Sequence, residues 1–199
     1  MKLNSRKIPP VTRTMLGLAL GMTLPCTLSI MSPYRIALYW PLVSRHPISE
    51  FYRLFTAFFY AGRGISMILD IYFLFRNGND LESNKFFRKT SNYVWALLLT
   101  ATMILVLNYP LGSFFLWKPL LMSLTYLWAR ANPHARVSFF GFFTIVASYL
   151  PYVQLVLDLV VGSVGLAVQS ATGLVAAYLY EQLAEATPAD AALPVPAWL

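Results

Sequence analysis

Long windows without a single Asp, Glu, Lys or Arg dominate this sequence and leave few folds open to it. An apolar helix crosses the roughly 30 Å hydrocarbon layer of a bilayer in about 20 residues. One charge-free window covers 14–34 and another 90–117, the latter broken by Asn108-Tyr109-Pro110 and Gly112, which read as a tight turn. After Lys118 the chain stays apolar to Arg130, and windows over 137–157 and 159–180 follow, with a small-residue break at Gly162-Ser163. A weaker window, 64–75, contains Asp70. Only 12% of the residues are charged and 58% are hydrophobic, against about 25% charged in an average soluble domain. A disordered chain, a coiled coil, a disulfide scaffold and most soluble enzymes are excluded. The expected fold is an all-α polytopic membrane protein with six helices, near 14–31, 62–78, 92–108, 113–129, 145–162 and 165–183. Residues 1–183 form one membrane domain in this reading, and 184–199 an acidic, Ala/Pro-rich tail predicted to be disordered.

The net charge of +7 serves orientation in such a chain, not nucleic-acid binding. Lys2, Arg6, Lys7, Arg13, Arg76, Lys85, Arg88, Lys89, Arg130 and Arg136 place ten cations beside the N-terminus and the even-numbered loops. The first loop has four, Arg35, Arg45, Arg53 and Arg63, and the third and fifth have none. Both termini are therefore expected in the cytosol. The first apolar segment reads as a retained helix, since Pro33 follows it where a signal cleavage site would need small residues.

The first loop has a pattern of its own. Ile48, Phe51, Phe55 and Phe58 recur at spacings of three, four and three, with Leu54 and Phe59 widening the stripe. Glu50 and Arg53 stand within i,i+3 reach. A helix this aromatic is predicted to lie in the headgroup plane, apolar face down, with Tyr34, Tyr39 and Trp40 at the same depth.

Catalytic chemistry finds no foothold. The two histidines, His46 and His134, lie outside the predicted spans, no G-x-S-x-G occurs, and neither a metal-ligand cluster nor a nucleotide-binding loop is present. Cys26, the single cysteine, reads as packing. No cofactor and no metal are expected. What remains are costly polar groups at membrane depth: Asp70, Gln154, Asp158 and Gln169, candidates for a water-accessible groove, and Lys118, which either joins them or snorkels. The alternative for Asp70 is a buried, hydrogen-bonded aspartate. In the sixth helix Thr172 with Ala176, and Gly173 with Ala177, form small-x-x-x-small pairs that let two backbones approach closely.

Several segments, in order and at matching spacing, resemble the derlins, a family of rhomboid-like pseudoproteases. They are Ile8-Pro9-Pro10-Val11-Thr12-Arg13, Ser32-Pro33, the run Phe51 to Tyr60, Ile71-Tyr72-Phe73-Leu74-Phe75 with Leu81-Glu82, and Pro119, Met122-Ser123, Tyr126, Trp128-Ala129 and Asn132. Val137-Ser138-Phe139, Tyr149-Leu150-Pro151 and Gly162 continue the likeness. The family's Trp-Arg pair is Tyr52-Arg53 here, and its Gly-x-x-x-Gly is Thr172 and Ala176. Asp70 and Asp158 stand where relatives are expected to carry asparagine, which makes any groove more anionic. An active rhomboid's serine falls at Leu116-Trp117, and its histidine near Gln169.

The resemblance implies a rhomboid-like six-helix bundle in the endoplasmic reticulum membrane and a non-catalytic role in ER-associated degradation. It implies retrotranslocation of misfolded proteins beside the HRD ubiquitin ligase complex and its adaptor subunits, with a AAA ATPase segregase engaged indirectly. Membrane lipids and another derlin, in a homo- or hetero-oligomer, complete the implied partners. The expected mechanism is a lateral polar groove bordered by the second and fifth helices, together with local bilayer thinning at short helices two and four. A membrane adaptor that never contacts substrate is the main competing reading, and an active rhomboid protease or a solute transporter are lesser ones.

Overall fold

The computed structural model describes residues 8–45, 47–86, 90–139 and 143–186. It is mostly helical: α1 (Pro10–Thr27), α2 (Trp40–Arg45), α3 (Pro47–Glu50), α4 (Tyr52–Thr56), α5 (Ile65–Asp80), α6 (Thr90–Asn108), α7 (Trp117–Ala131), α8 (Leu150–Leu157) and α9 (Val164–Ala186). One antiparallel hairpin, β1 (Arg136–Phe139) with β2 (Phe143–Val146), pairs Arg136 with Val146 and Phe139 with Phe143. The expectation of an all-α chain is corrected to that extent.

Polar side chains define one end of the bundle. The Glu82 carboxylate accepts from the backbone N–H of Val11 at 3.0 Å and of Thr12 at 2.8 Å, and from the Thr12 hydroxyl at 2.8 Å. It thus supplies an anion and two acceptors to the first turn of α1, where N–H groups lack helical partners. Asp80, ending α5, accepts from Trp128 Nε1 at 2.6 Å and Asn132 Nδ2 at 3.1 Å at the end of α7. Arg130, beside them, pairs with Glu181 at 2.8 Å on the last turns of α9. The start of α1 and the ends of α5, α7 and α9 therefore share one end. Replacing Glu82 with alanine is expected to cost about 2 kcal/mol in thermal unfolding, by stripping three charge-assisted bonds from a buried helix start; glutamine, which keeps both shape and an acceptor, is expected to lose about half as much.

The opposite end is built by the first loop and the turn between α6 and α7. Arg63 donates to the Cys26 carbonyl at 2.9 Å, where α1 stops, a cation at a helix C-terminus. The loop joins the α6–α7 connection through Leu38 N to Phe114 O at 2.7 Å and Leu116 N to Ala57 O at 2.8 Å. Those bonds hold 113–116 outside the helix, so the fourth helix begins at Trp117 and not at 113 as expected. Other boundaries move for comparable reasons. Pro10 in the first turn and the Glu82 cap start α1 ahead of 14. Gly62 and Gly64, both at positive φ, delay α5 to Ile65. Asn77 and Asp80 find partners on α7, so α5 runs past 78 and continues as a π-helical turn over Leu81–Lys85. The expected fifth helix spends 145–146 at the end of β2 and becomes helical only from Ala147. Helix α9 extends beyond 183 to Ala186, and 187–199 lie outside the described residues.

The single interfacial helix expected over 48–59 is also corrected. The chain forms two short helices there, α3 and α4. Arg53 binds Glu50 and donates to the carbonyls of Tyr34 at 2.7 Å and Ala37 at 2.9 Å, and Thr56 donates to the Ile36 carbonyl at 3.3 Å. These bonds roll the far end of the stripe inward. Phe58 and Phe59 are buried in the core, whereas Phe51 and Phe55 stay exposed. Ile48 lies in α3, and its side chain falls outside the described residues.

Helix α7 is the hub. Leu120 through Ala129 are all buried, with α5, α6, α8 and α9 packed around them. Large apolar side chains on the outer helices instead face outward, among them Leu24 on α1, Tyr72 on α5, Val106 on α6, Val156 on α8 and Val175 on α9. Exposed apolar rows on several helices, around a helix buried all round, make an oily perimeter. By length and composition α6 is the one described helix able to cross a bilayer unaided, and Ala147–Gly162 is a shorter apolar segment.

Candidate functional site

The site begins with Gly173. A Cβ there would lie 2.0 Å from the Pro119 carbonyl oxygen, so α9 rests on the backbone of α7 at that point. Ala176 and Ala177, one turn on, are fully buried in the same interface. This rigid contact fixes two neighbours, Lys118 before Pro119 and Gln169 one turn before Gly173.

Lys118 is the centre of a charge cluster. Its Nζ lies 3.0 Å from Asp70 Oδ1 on α5 and 3.1 Å from Asp158 Oδ1 at the end of α8. The other carboxylate oxygens are also occupied: Trp117 Nε1 donates to Asp70 Oδ2 at 3.1 Å, and the Ser170 hydroxyl to Asp158 Oδ2 at 2.6 Å. Both carboxylates are buried, while the Lys118 side chain keeps 19% exposure. Two anions and one cation leave the cluster at a formal −1. A charge is tolerated at such depth only when paired and hydrogen-bonded, and here each anion has a cation and a neutral donor.

Lys118 therefore does not snorkel, and Asp70 and Asp158 do not form an open anionic wall. They are buried, and both are paired with Lys118. A pocket of about 500 Å³ lies beside the cluster, lined in part by Tyr60, Ser66, Ser113, Trp117, Lys118 and Gln169. Of the four expected groove residues, Gln169 alone lines it. Its amide Nε2 donates to the Phe115 carbonyl. Gln154 is buried in α8, with Oε1 lacking a hydrogen-bond partner. Leu116 and Trp117, where the resemblance leads one to expect a rhomboid's serine, are buried, and Gln169, near its expected histidine, is tethered to Phe115.

Tyr52 and Arg53 act within the first loop, Tyr52 donating to the Arg35 carbonyl at 3.1 Å and Arg53 gathering the strands of the loop as described. In α9 the close approach falls on Gly173, with Ala176 beside it. Thr172 is turned toward α6, where it accepts from Asn108 Nδ2 at 2.6 Å. The sequence reading left open whether Lys118 joins the polar group, but did not pair it with Asp70 and Asp158, and missed Ser170 and Trp117 as their donors. The available signal was the charge count itself, two acids and one base in otherwise uncharged windows, which in hydrocarbon must find one another.

The chain matches the family model described as Der1-like family over residues 8–192. It is 32% identical over 161 residues to Derlin-1.2 of Zea mays, covering 79% of this chain and 65% of that protein. It is 32% identical over 195 residues to Derlin-2.2 of Arabidopsis thaliana, covering 92% of this chain and 78% of the relative. Derlin-2 of Oryza sativa subsp. japonica is 35% identical over 170 residues, covering 79% and 68%. Against the maize and rice derlin-1 proteins the chain thus spans about 65% of the relative's length. With a family match over nearly every described residue, and the bundle packed around one buried hub helix, the chain belongs to the Der1-like family, the derlins.

Proposed function

We propose that this chain is a non-catalytic component of ER-associated degradation that helps misfolded proteins cross the ER membrane toward the cytosol. In this reading α1, α5, α6, α7, the α8 segment and α9 are six membrane crossings, with both termini cytosolic and the first loop in the lumenal leaflet. The exposed rings of Phe51 and Phe55 then rest among lipid headgroups. The observation that carries the reading is a pocket that brings Ser66, Ser113, Lys118 and Gln169 to an otherwise apolar wall, in a bundle whose perimeter is apolar. Unsatisfied backbone groups of a translocating chain cost several kcal/mol each in hydrocarbon, and donors and acceptors at that depth lower the barrier without breaking a bond.

Thinning is assigned to a different place than helix length alone suggests. Helix α7 spans only 15 residues, about 22 Å, yet it is enclosed by protein and imposes no mismatch on lipid. Ala147–Gly162 is both short and outward-facing, with Tyr152, Val156 and Val160 exposed. A lateral opening between α5 and α8 would therefore meet its thinnest lipid on the α8 side. The non-catalytic part of this reading is supported by Leu116-Trp117 and Gln169 where the resemblance puts a rhomboid's serine and histidine, and by Lys118, whose ammonium is paired with two carboxylates. The HRD ubiquitin ligase complex with its adaptors, and a AAA ATPase acting through them, are the proposed partners.

A chase of a misfolded lumenal reporter in cells depleted of this protein tests the reading, with a photo-crosslinking residue at Ser113 in the complementing copy. Slowed reporter loss on depletion and crosslinks to reporter are expected. Unchanged turnover would refute the role. Dependence on the chain with crosslinks to ligase subunits alone would replace conduction by the adaptor reading.

A further inference from the structure

We propose that Lys118 and Gln169 act as an amide-recognition pair on the pocket wall, selecting an extended peptide backbone over a folded transmembrane helix. This rests on the translocation reading and names the form of substrate that the same pocket accepts. An ammonium has three N–H donors. Asp70 and Asp158 take two of them, and the partly exposed Lys118 side chain lines the pocket with the third. A glutamine amide has two donor hydrogens and an acceptor oxygen. One Gln169 hydrogen goes to the Phe115 carbonyl, which leaves Oε1 as an acceptor on the same wall.

One donor and one acceptor are the complement of a peptide group, which presents a C=O and an N–H. A polypeptide in helical form has spent both within itself, so it offers the pair nothing. Its apolar side chains would instead strip the remaining solvent from a charged amine. Anionic ligands fit no better, because the cluster behind Lys118 has a formal −1. A volume of about 500 Å³ lies within the usual range for ligand pockets. Both residues sit beside the place where α9 rests on the α7 backbone, Gly173 on Pro119, so neither is free to drift from the other.

The test uses the full chain in lipid nanodiscs, with a photo-crosslinking residue at Ser113, which lines the pocket. Three probes are compared: a Gly/Ser/Asn-rich peptide that forms no helix, the same peptide N-methylated at alternate residues, and an apolar helix of about 20 residues. The unmodified peptide is expected to be captured, the methylated one about fivefold to tenfold less, and the helix not at all. Gln169→Leu is expected to erase the difference between the two peptides. Because the decisive comparison changes the probe and not the protein, it does not depend on how a variant folds. Equal capture of methylated and unmethylated peptide, or preferred capture of the helix, overturns the pair. If either occurs while reporter degradation still depends on the chain, the translocation reading stands without it. Methyl-sensitive capture in a chain that the reporter does not need supports the pair and removes the translocation reading.

Discussion

Replacing Lys118 with methionine is expected to destabilise the protein by about 3–5 kcal/mol, the usual cost of leaving a buried charge without its partner. The side chain of methionine fills nearly the same path from α7, so the loss is electrostatic and not a cavity. Asp70 and Asp158 would then face each other across the vacated ammonium, with only Trp117 and Ser170 as neutral donors. The decisive control is the triple variant Asp70→Asn, Lys118→Met, Asp158→Asn, which removes all three charges and keeps the donors of Trp117 and Ser170 matched to amide oxygens. Its stability is expected to return to within about 1 kcal/mol of the parent, since a buried ion cluster replaced as a whole is often neutral in cost. Thermal unfolding in detergent or nanodiscs reads both. A single variant as stable as the parent would mean that the cluster contributes nothing to the fold.

That cluster also shows what the sequence reading could and could not supply. Apolar windows located helical segments at α1, α5, α6, α7, α8 and α9, because burial and lipid exposure both demand apolar residues, although among the described helices only α6 is long and apolar enough to cross a bilayer. For the same reason they could not say which helix is enclosed. Helix α7, buried all round, and α6, the most readily membrane-spanning, look alike as strings. Helix ends were misplaced where polar side chains read as exits but are in fact satisfied sideways. Asp80 and Glu82 lay beyond the expected helix end at 78, and each instead holds a neighbouring helix. In the first loop, spacing alone assigned Phe58 to the same face as Phe51. Arg53 and its carbonyl partners break that face, and no local pattern encodes which carbonyls, 16 and 19 residues away, will be near.

Of the candidate site, the aspartates and Gln169 were legible as polar groups too costly to be idle, but not their arrangement. Asp70 proved to be the buried, hydrogen-bonded aspartate weighed as the alternative, although its partner was the very lysine considered for snorkelling. The small-residue pairs in α9 were legible as contact. The rotation of the helix, about 100° per residue, decides whether Thr172 or Gly173 meets α7, and only the structure fixes it.

Gly173 is where the largest effect of a single methyl group is expected. A Cβ at 2.0 Å from the Pro119 carbonyl oxygen, and 2.6 Å from its carbonyl carbon and Cα, cannot be accommodated by a side-chain rotation, because all three contacts are backbone. Gly173→Ala must push α9 from α7, and the cost is expected at or above the upper end of overpacking penalties, about 3 kcal/mol, even after the gain of roughly 1 kcal/mol that alanine brings to a helix interior. Gly17→Ala and Gly21→Ala in α1 isolate that gain, since nothing lies within 4 Å of either new methyl; both are expected to be neutral or slightly stabilising. Gly78→Ala is expected between these limits, with Thr12 Oγ1 at 3.3 Å as its nearest neighbour. The displacement in Gly173→Ala would also draw Gln169 from the Phe115 carbonyl and Ser170 from Asp158, the carboxylate that Lys118 binds. The variant should thus lose the pocket as well as stability. Unfolding scans of the four alanine variants in one lipid composition check the order, and a Gly173→Ala protein as stable as Gly17→Ala would show that α7 and α9 are not in backbone contact.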